Sequence, residues 1–112
     1  MKYFNYKDEN LTSENMSIAD IATEVQTPFY CYSANAFKNN FNALKNAFKE
    51  INPKICYATK SNSNLSILNL LQKEGAGADV VSVGELKKSL IAGIMPHDIV
   101  FSGVGKTSDE IE

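Results

Sequence analysis

Lys60 stands at the end of the apolar run Ile55 to Thr59 and is followed by Ser61, Asn62, Ser63 and Asn64. An ε-amine can attack a carbonyl cofactor or substrate only when deprotonated, a state that burial or a nearby cation favours. The ordinary explanation is a lysine at a strand exit with its charge in water. A second candidate tips the balance toward chemistry. Asp79 lies inside the apolar stretch Ala76 to Val83, where an unpaired carboxylate is costly and wants a partner. If Asp79 and Lys60 occupy neighbouring strands and face the same way, they can form a charge pair. Glu85 is the third candidate, but Ser82-x-x-Glu85 is also a capping box, and helix capping alone explains a glutamate there.

These residues must be placed by the elements around them. Ile18, Ile21, Ala22 and Val25 recur at helical spacing, so a short helix is expected over Ser17 to Glu24, stopped by Thr27-Pro28. Residues 28–33, PFYCYS, read as a brief β-type run. Phe37, Phe41, Leu44 and Phe48 form one stripe of a helix that ends near Asn52-Pro53. From there the pattern is regular: a strand in KICYAT, a helix closed by Gly75, a strand in ADVVS, a helix closed by Gly93 and a strand in DIVFSG. Thr107 and Glu110 make a capping box that announces one more helix. Strands that alternate with short helices run parallel, so the class is α/β. Lys60 then sits at a strand's C-terminal end, where parallel architectures gather their ligands. Alternation puts Cys56, Ala58 and Lys60 on one face, small Ala58 leaving room for a flat ring, with Ile55, Tyr57 and Thr59 on the other.

The strand period of about twenty residues suits a doubly wound sheet or a (β/α)8 barrel. A dinucleotide-binding sheet wants G-x-G-x-x-G in its first turn, and KSNSN contains no glycine. The GVGKT run at 103–107 resembles the tail of a phosphate loop, but the position that needs the first glycine holds Val100. With 44% hydrophobic and 21% charged residues and a formal net charge of -2, the chain is ordinary for a globular protein, and a nucleic-acid partner is not expected. One histidine, His97, and two cysteines, Cys31 and Cys56, match no metal or redox spacing, so no metal is expected and both thiols are read as free and buried. The N-terminus is polar and no stretch is long enough to span a bilayer, which gives a cytoplasmic expectation without membrane association. A complete barrel takes about 250 residues. The 112 residues are therefore expected to be the N-terminal part of a larger protein.

The blocks TPFYCYS, ICYATKSNSNLSIL, GAGADVVSVGEL, AGIMPHDIVFSGVGKT and EIE, in this order from Thr27 to the last residue, resemble the pyridoxal-phosphate-dependent amino-acid decarboxylases with an alanine-racemase-type barrel, and among them the diaminopimelate decarboxylases. The resemblance implies a truncated (β/α)8 barrel of PLP fold type III over residues 28–112, and a segment 1–27 that associates with a separate β domain. It further implies pyridoxal phosphate on Lys60, with Asp79 and Glu85 near the cofactor, and a homodimer that decarboxylates meso-diaminopimelate to L-lysine. Ser61 stands where alanine is commoner, and Val83 where the pattern often has glycine. The family's phosphate loop, the acidic partner of the pyridine nitrogen and the substrate-binding arginine would all follow residue 112. Neither Cys31 nor Cys56 matches the family's cysteine contributed across the dimer. Two other readings stay open: a racemase or polyamine-forming decarboxylase of the same barrel family, and a non-catalytic fragment in which KSNSN is only a polar strand exit.

Overall fold

The computed structural model describes residues 3–111; Met1, Lys2 and Glu112, the last residue of the EIE block, lie outside the described residues. The chain forms two compact units, one up to Asn39 and one from Asn40 onward.

The first unit holds a meander of three short antiparallel strands, β1 (Phe4–Lys7), β2 (Asn10–Ser13) and β3 (Met16–Ser17), followed by helix α1 (Ile18–Val25). Two-residue turns join the strands, with Asp8-Glu9 and Glu14-Asn15 all at positive φ, as tight hairpin turns require. Ser17 caps α1, its hydroxyl accepting from Asp20 N, which places this helix within a residue of its expected start. The β-type run expected over residues 28–33 does not form. After a cis Thr27-Pro28 bond the segment carries no strand pairing, and the side chains of Tyr30 and Tyr32 lie exposed with their rings stacked 6.4 Å apart. Apolar composition suggested a strand there, but no neighbouring strand offers it a ladder.

Ser33 and Glu14 organise the start of helix α2 (Ala34–Ala47). Glu14 accepts from the Ser33 hydroxyl and from Asn35 N at 2.7 Å, and Ser33 Oγ accepts from Ala36 N at 3.0 Å. The Ser33 hydrogen bond, then the Asn35 amide, hold the Glu14 carboxyl below its ordinary range, with Lys38 adding to them against desolvation.

In the second unit the expected β-α-β-α-β order is present. β4 (Cys56–Ala58), β5 (Gly77–Val80) and β6 (Ile99–Phe101) form a parallel sheet in that order, with helices α3 (Leu65–Lys73) and α4 (Val83–Ile91) in the connections. Both helices end in the same motif. Gly75 and Gly93 have φ of +95°, and the amides of Ala76 and Ile94 return to Leu71 O and Ser89 O. On one face of the sheet Ala78 and Val80 are buried with Ile94, packed by Leu86 of α4 and by Ile99 and Phe101. The other face carries Cys56, Ala58 and Asp79, all half-buried, and Val100, which is 49% exposed. The stripe read for α2 is only partly covered: Phe41 is buried, whereas Leu44 and Phe48 are about half exposed. A final turn of helix, α5 (Ser108–Ile111), opens with the capping box read from the sequence, Glu110 Oε2 accepting from Thr107 N at 2.9 Å.

Gly77 is where the sheet allows no side chain. A Cβ there would lie 2.3 Å from Asp98 O and 2.9 Å from Cys56 Sγ, whereas at Gly84 the nearest atom would be 3.8 Å away. In the full-length protein Gly77→Ala should therefore lower the thermal midpoint, by a destabilisation of about 1–3 kcal/mol, while Gly84→Ala should leave it unchanged or raised.

A second expectation concerns acid. Because the Glu14 carboxyl is held low in the fold, its contribution is present above the unfolded value and is lost as pH falls through the lower folded value. Glu14→Gln should reduce stability near neutrality and narrow the gap to the unsubstituted protein below about pH 4, as followed by denaturant midpoints across pH.

Candidate functional site

Three parallel strands in register bring their C-terminal ends to one edge, with Ala58 beside Asp79 and Asp79 beside Val100. Lys60, Glu85 and the residues after β6 all follow those ends, so the three candidates share an edge of the sheet.

Lys60 is not the last residue of its strand. β4 stops at Ala58, and Thr59 to Ser61 form a 3-10 turn, so strand alternation does not set the direction of Lys60 as the sequence suggested. The turn explains the polar run that follows. Ser61 Oγ donates to Ala58 O at 2.7 Å, Asn62 Oδ1 accepts from Asn64 N, and Asn64 Oδ1 caps α3 by accepting from Ser66 N at 2.9 Å. Two residues grip this loop from outside: Tyr57 Oη donates to Asn62 O at 3.3 Å, and Lys88 of α4 donates to Ser63 Oγ at 2.9 Å. KSNSN is thus a built loop whose polar groups bond one another. Lys60 itself is exposed and has no hydrogen-bond or ion-pair partner among the described residues. Thr59, beside it, is fully buried, and its hydroxyl has no partner among the described residues.

The charge pair expected between Lys60 and Asp79 is not formed. Asp79 Oδ1 instead accepts from Ser102 Oγ at 2.5 Å. Ser102, which follows β6 on the other flank of Asp79, puts a hydroxyl donor in reach. Sequence reasoning placed Ser102 within the DIVFSG strand and gave it no role; β6 ends at Phe101, so Ser102 leaves the strand beside Asp79. Glu85 does the capping work read for it with one difference. Ser82 Oγ accepts from Glu85 N at 3.3 Å, but the Glu85 carboxylate returns to Val81 N at 2.9 Å, one residue before the cap.

Cys56 lies on the same face as Asp79, free and half-buried, as is Cys31. Burial pushes its thiol up, Lys54 opposes this, and the charges of Asp79 and Asp98 add to it, so the thiol is the stable form. Asp98, which opens the run read as the DIVFSG strand, instead closes a 3-10 turn before β6 and pairs with Lys54 at 2.7 Å. The GVGKT run folds back on its own strand, Lys106 donating to Gly103 O at 2.6 Å with its ammonium 5.1 Å from the centre of the Phe101 ring. Among the described residues no group of three or more His, Cys, Asp or Glu could hold a metal, and no helix is long and apolar enough to cross a membrane.

A primary amine without a partner, at a strand exit beside a small residue, fits a carbonyl compound that must be held covalently. Residues 34–112 match the model of the pyridoxal-dependent decarboxylase family, pyridoxal binding domain. The chain belongs to that family. Pyridoxal phosphate, the expected cofactor, agrees with this membership. The chain is 44% identical over 113 aligned residues to a diaminopimelate decarboxylase of Vibrio cholerae, covering all of this chain and 27% of that protein. It is 56% identical over 87 residues to one of Helicobacter pylori, covering 78% of this chain and 22% of the relative. The crystal structure of diaminopimelate decarboxylase from M. jannaschii in complex with L-lysine superposes with a TM-score of 0.91 at 36% identity, over 96% of this chain and 26% of that one. The chain thus spans about a quarter of the length of these relatives, and its α/β fold is that of the family's pyridoxal-binding domain.

Asp79→Asn keeps the side chain's shape and removes its charge. In the full-length protein it should lower turnover or cofactor retention on the order of tenfold, the scale of one lost interaction of about 1.4 kcal/mol. Asp8→Asn, at an exposed hairpin turn whose φ of 46° suits asparagine, is the matched control and should change neither. Cofactor absorbance after gel filtration and steady-state rates check both.

Proposed function

We propose that this chain is part of a carboxy-lyase that removes carbon dioxide from meso-diaminopimelate to give L-lysine, with pyridoxal phosphate held on Lys60. One observation carries the reading: in a chain of the pyridoxal-dependent decarboxylases, the block Tyr57-Ala58-x-Lys60-x-Asn62 leaves β4 with an amine that no described group engages. The diaminopimelate decarboxylases among its relatives support the substrate. Residues 28–112 would then form the first units of a (β/α)8 barrel, and the segment 1–27 would associate with a separate β domain. The whole protein would be a cytoplasmic homodimer with no nucleic-acid or membrane partner.

When bound, pyridoxal phosphate supplies the electron sink that accepts the pair left behind as the carboxylate departs. The chain's own residues do the rest. Lys60 would hold the cofactor covalently through its ε-nitrogen. Tyr57 and Lys88 fix the loop from which Lys60 extends, so that nitrogen would be presented from one place. Asp79 and Glu85 place negative charge along the same edge, Asp79 beside Ala58 and Glu85 at the β5–α4 turn.

Borohydride treatment of the full-length protein with pyridoxal phosphate should lock the cofactor onto Lys60 as a stable secondary amine, located by peptide mass mapping. Lys60→Ala should abolish that label and lower carbon dioxide release from meso-diaminopimelate on the order of a thousandfold or more, as when a covalent mechanism loses its central residue. Label on Lys54 or Lys106 instead would sink the assignment.

A further inference from the structure

We infer that Ser102 is a positioning residue of this site: its hydroxyl holds the Asp79 carboxylate and so keeps Lys60 free of an ion pair. The inference rests on Lys60 being the reactive amine of the proposed function. Ser102 follows β6, and its amide donates to Val80 O at 2.9 Å, which prolongs the β5–β6 ladder and fixes the Ser102 backbone beside Asp79. From there its Oγ lies 2.5 Å from Asp79 Oδ1, at the short end of hydroxyl-to-carboxylate bonds. Ser102 is exposed, so burial does not force this bond; water could satisfy the hydroxyl equally well.

Asp79 has a competing partner on its other flank. Its neighbour in register on β4 is Ala58, which offers no donor, and Lys60 is two residues further on. The 3-10 turn that carries Lys60 lies against β5, so the long lysine side chain can turn toward the Asp79 carboxylate. A carboxylate turned that way would fasten Lys60 as an ammonium, which has no lone pair for a carbonyl carbon. Among the charged groups that follow these strands, Glu85 engages Val81 N, Lys88 engages Ser63 and Lys106 engages Gly103 O, while Lys87 of α4 is exposed. The Cys56 thiol, which feels the Asp79 charge, is held neutral. Ser102 is therefore the group that decides which way the Asp79 carboxylate turns.

The test is trace acetylation of the full-length protein freed of cofactor, at one fixed pH, with acetylation of Lys60 measured by mass spectrometry against that of exposed Lys73 in the same sample. Ser102→Ala should slow Lys60 labelling about threefold, within the range one partly exposed ion pair produces. Ser102→Thr should restore it. Asp79→Asn alone should leave labelling at or above the unsubstituted level, and adding Ser102→Ala to it should change nothing further. A loss of structure would slow labelling alike with or without Asp79, so equal slowing in both backgrounds would overturn the inference, as would unchanged labelling in Ser102→Ala or slower labelling in Asp79→Asn. Failure of the underlying reading shows separately, as borohydride label on a lysine other than Lys60, and leaves this acetylation series intact.

Discussion

The parallel register of three short strands is the constraint on which the rest of the second unit depends. Because Ala58, Asp79 and Val100 stand side by side, everything that follows a strand emerges at one edge and everything that precedes one gathers at the other. The lysine loop, the start of α4 and Ser102 share the first edge; Lys54, His97 and Asp98 share the second, where Lys54 pairs with Asp98 and donates to His97 O. The register in turn depends on Gly77, whose missing side chain lets β5 lie against Asp98 O and the Cys56 sulfur. A methyl group at that one position would push apart strands that fix the placement of both edges.

At the candidate edge, each carboxylate is met by a neutral donor: Asp79 by a hydroxyl and Glu85 by a backbone amide. Such bonds hold a negative charge in place without neutralising it. The contrast with the opposite edge is chemical. There Asp98 is paired directly with Lys54, whose hydrogen bond holds its carboxyl low, and the charges are spent on each other.

Much of this was legible in the sequence because it follows from local rules. Gly75 and Gly93 announced helix ends since only a positive φ closes that motif cheaply, and both glycines adopt it. Apolar runs of three to six residues between those helices read as strands, and they are strands, though shorter than their apolar composition suggested, with β5 mostly buried and β4 and β6 only half-buried. The strands β1 to β3 went unread because their turns use Asp8-Glu9 and Glu14-Asn15, where hairpins more often show glycine. Residues 28–33 were misread for the opposite reason: strand-like residues do not make a strand where no partner ladder is in reach. At the site, the gathering of Lys60, Asp79 and Glu85 near one edge of the sheet followed from periodicity. Which partner Asp79 takes did not, since choosing between Lys60 and Ser102 depends on side-chain geometry across three strands that no pattern encodes.

The pairing distances along the chain bear on how this unit is made. Cys56 meets Gly77 and Ala78 meets Ile99, each pair twenty-one residues apart, with one helix between. Contacts this local close small loops and cost little chain entropy, which is the circumstance that favours rapid folding. Each strand can therefore dock as soon as the helix ahead of it has formed. A chain emerging from the ribosome can lay down this sheet one strand at a time, with Lys60 already in place after β4 before β6 has been synthesised.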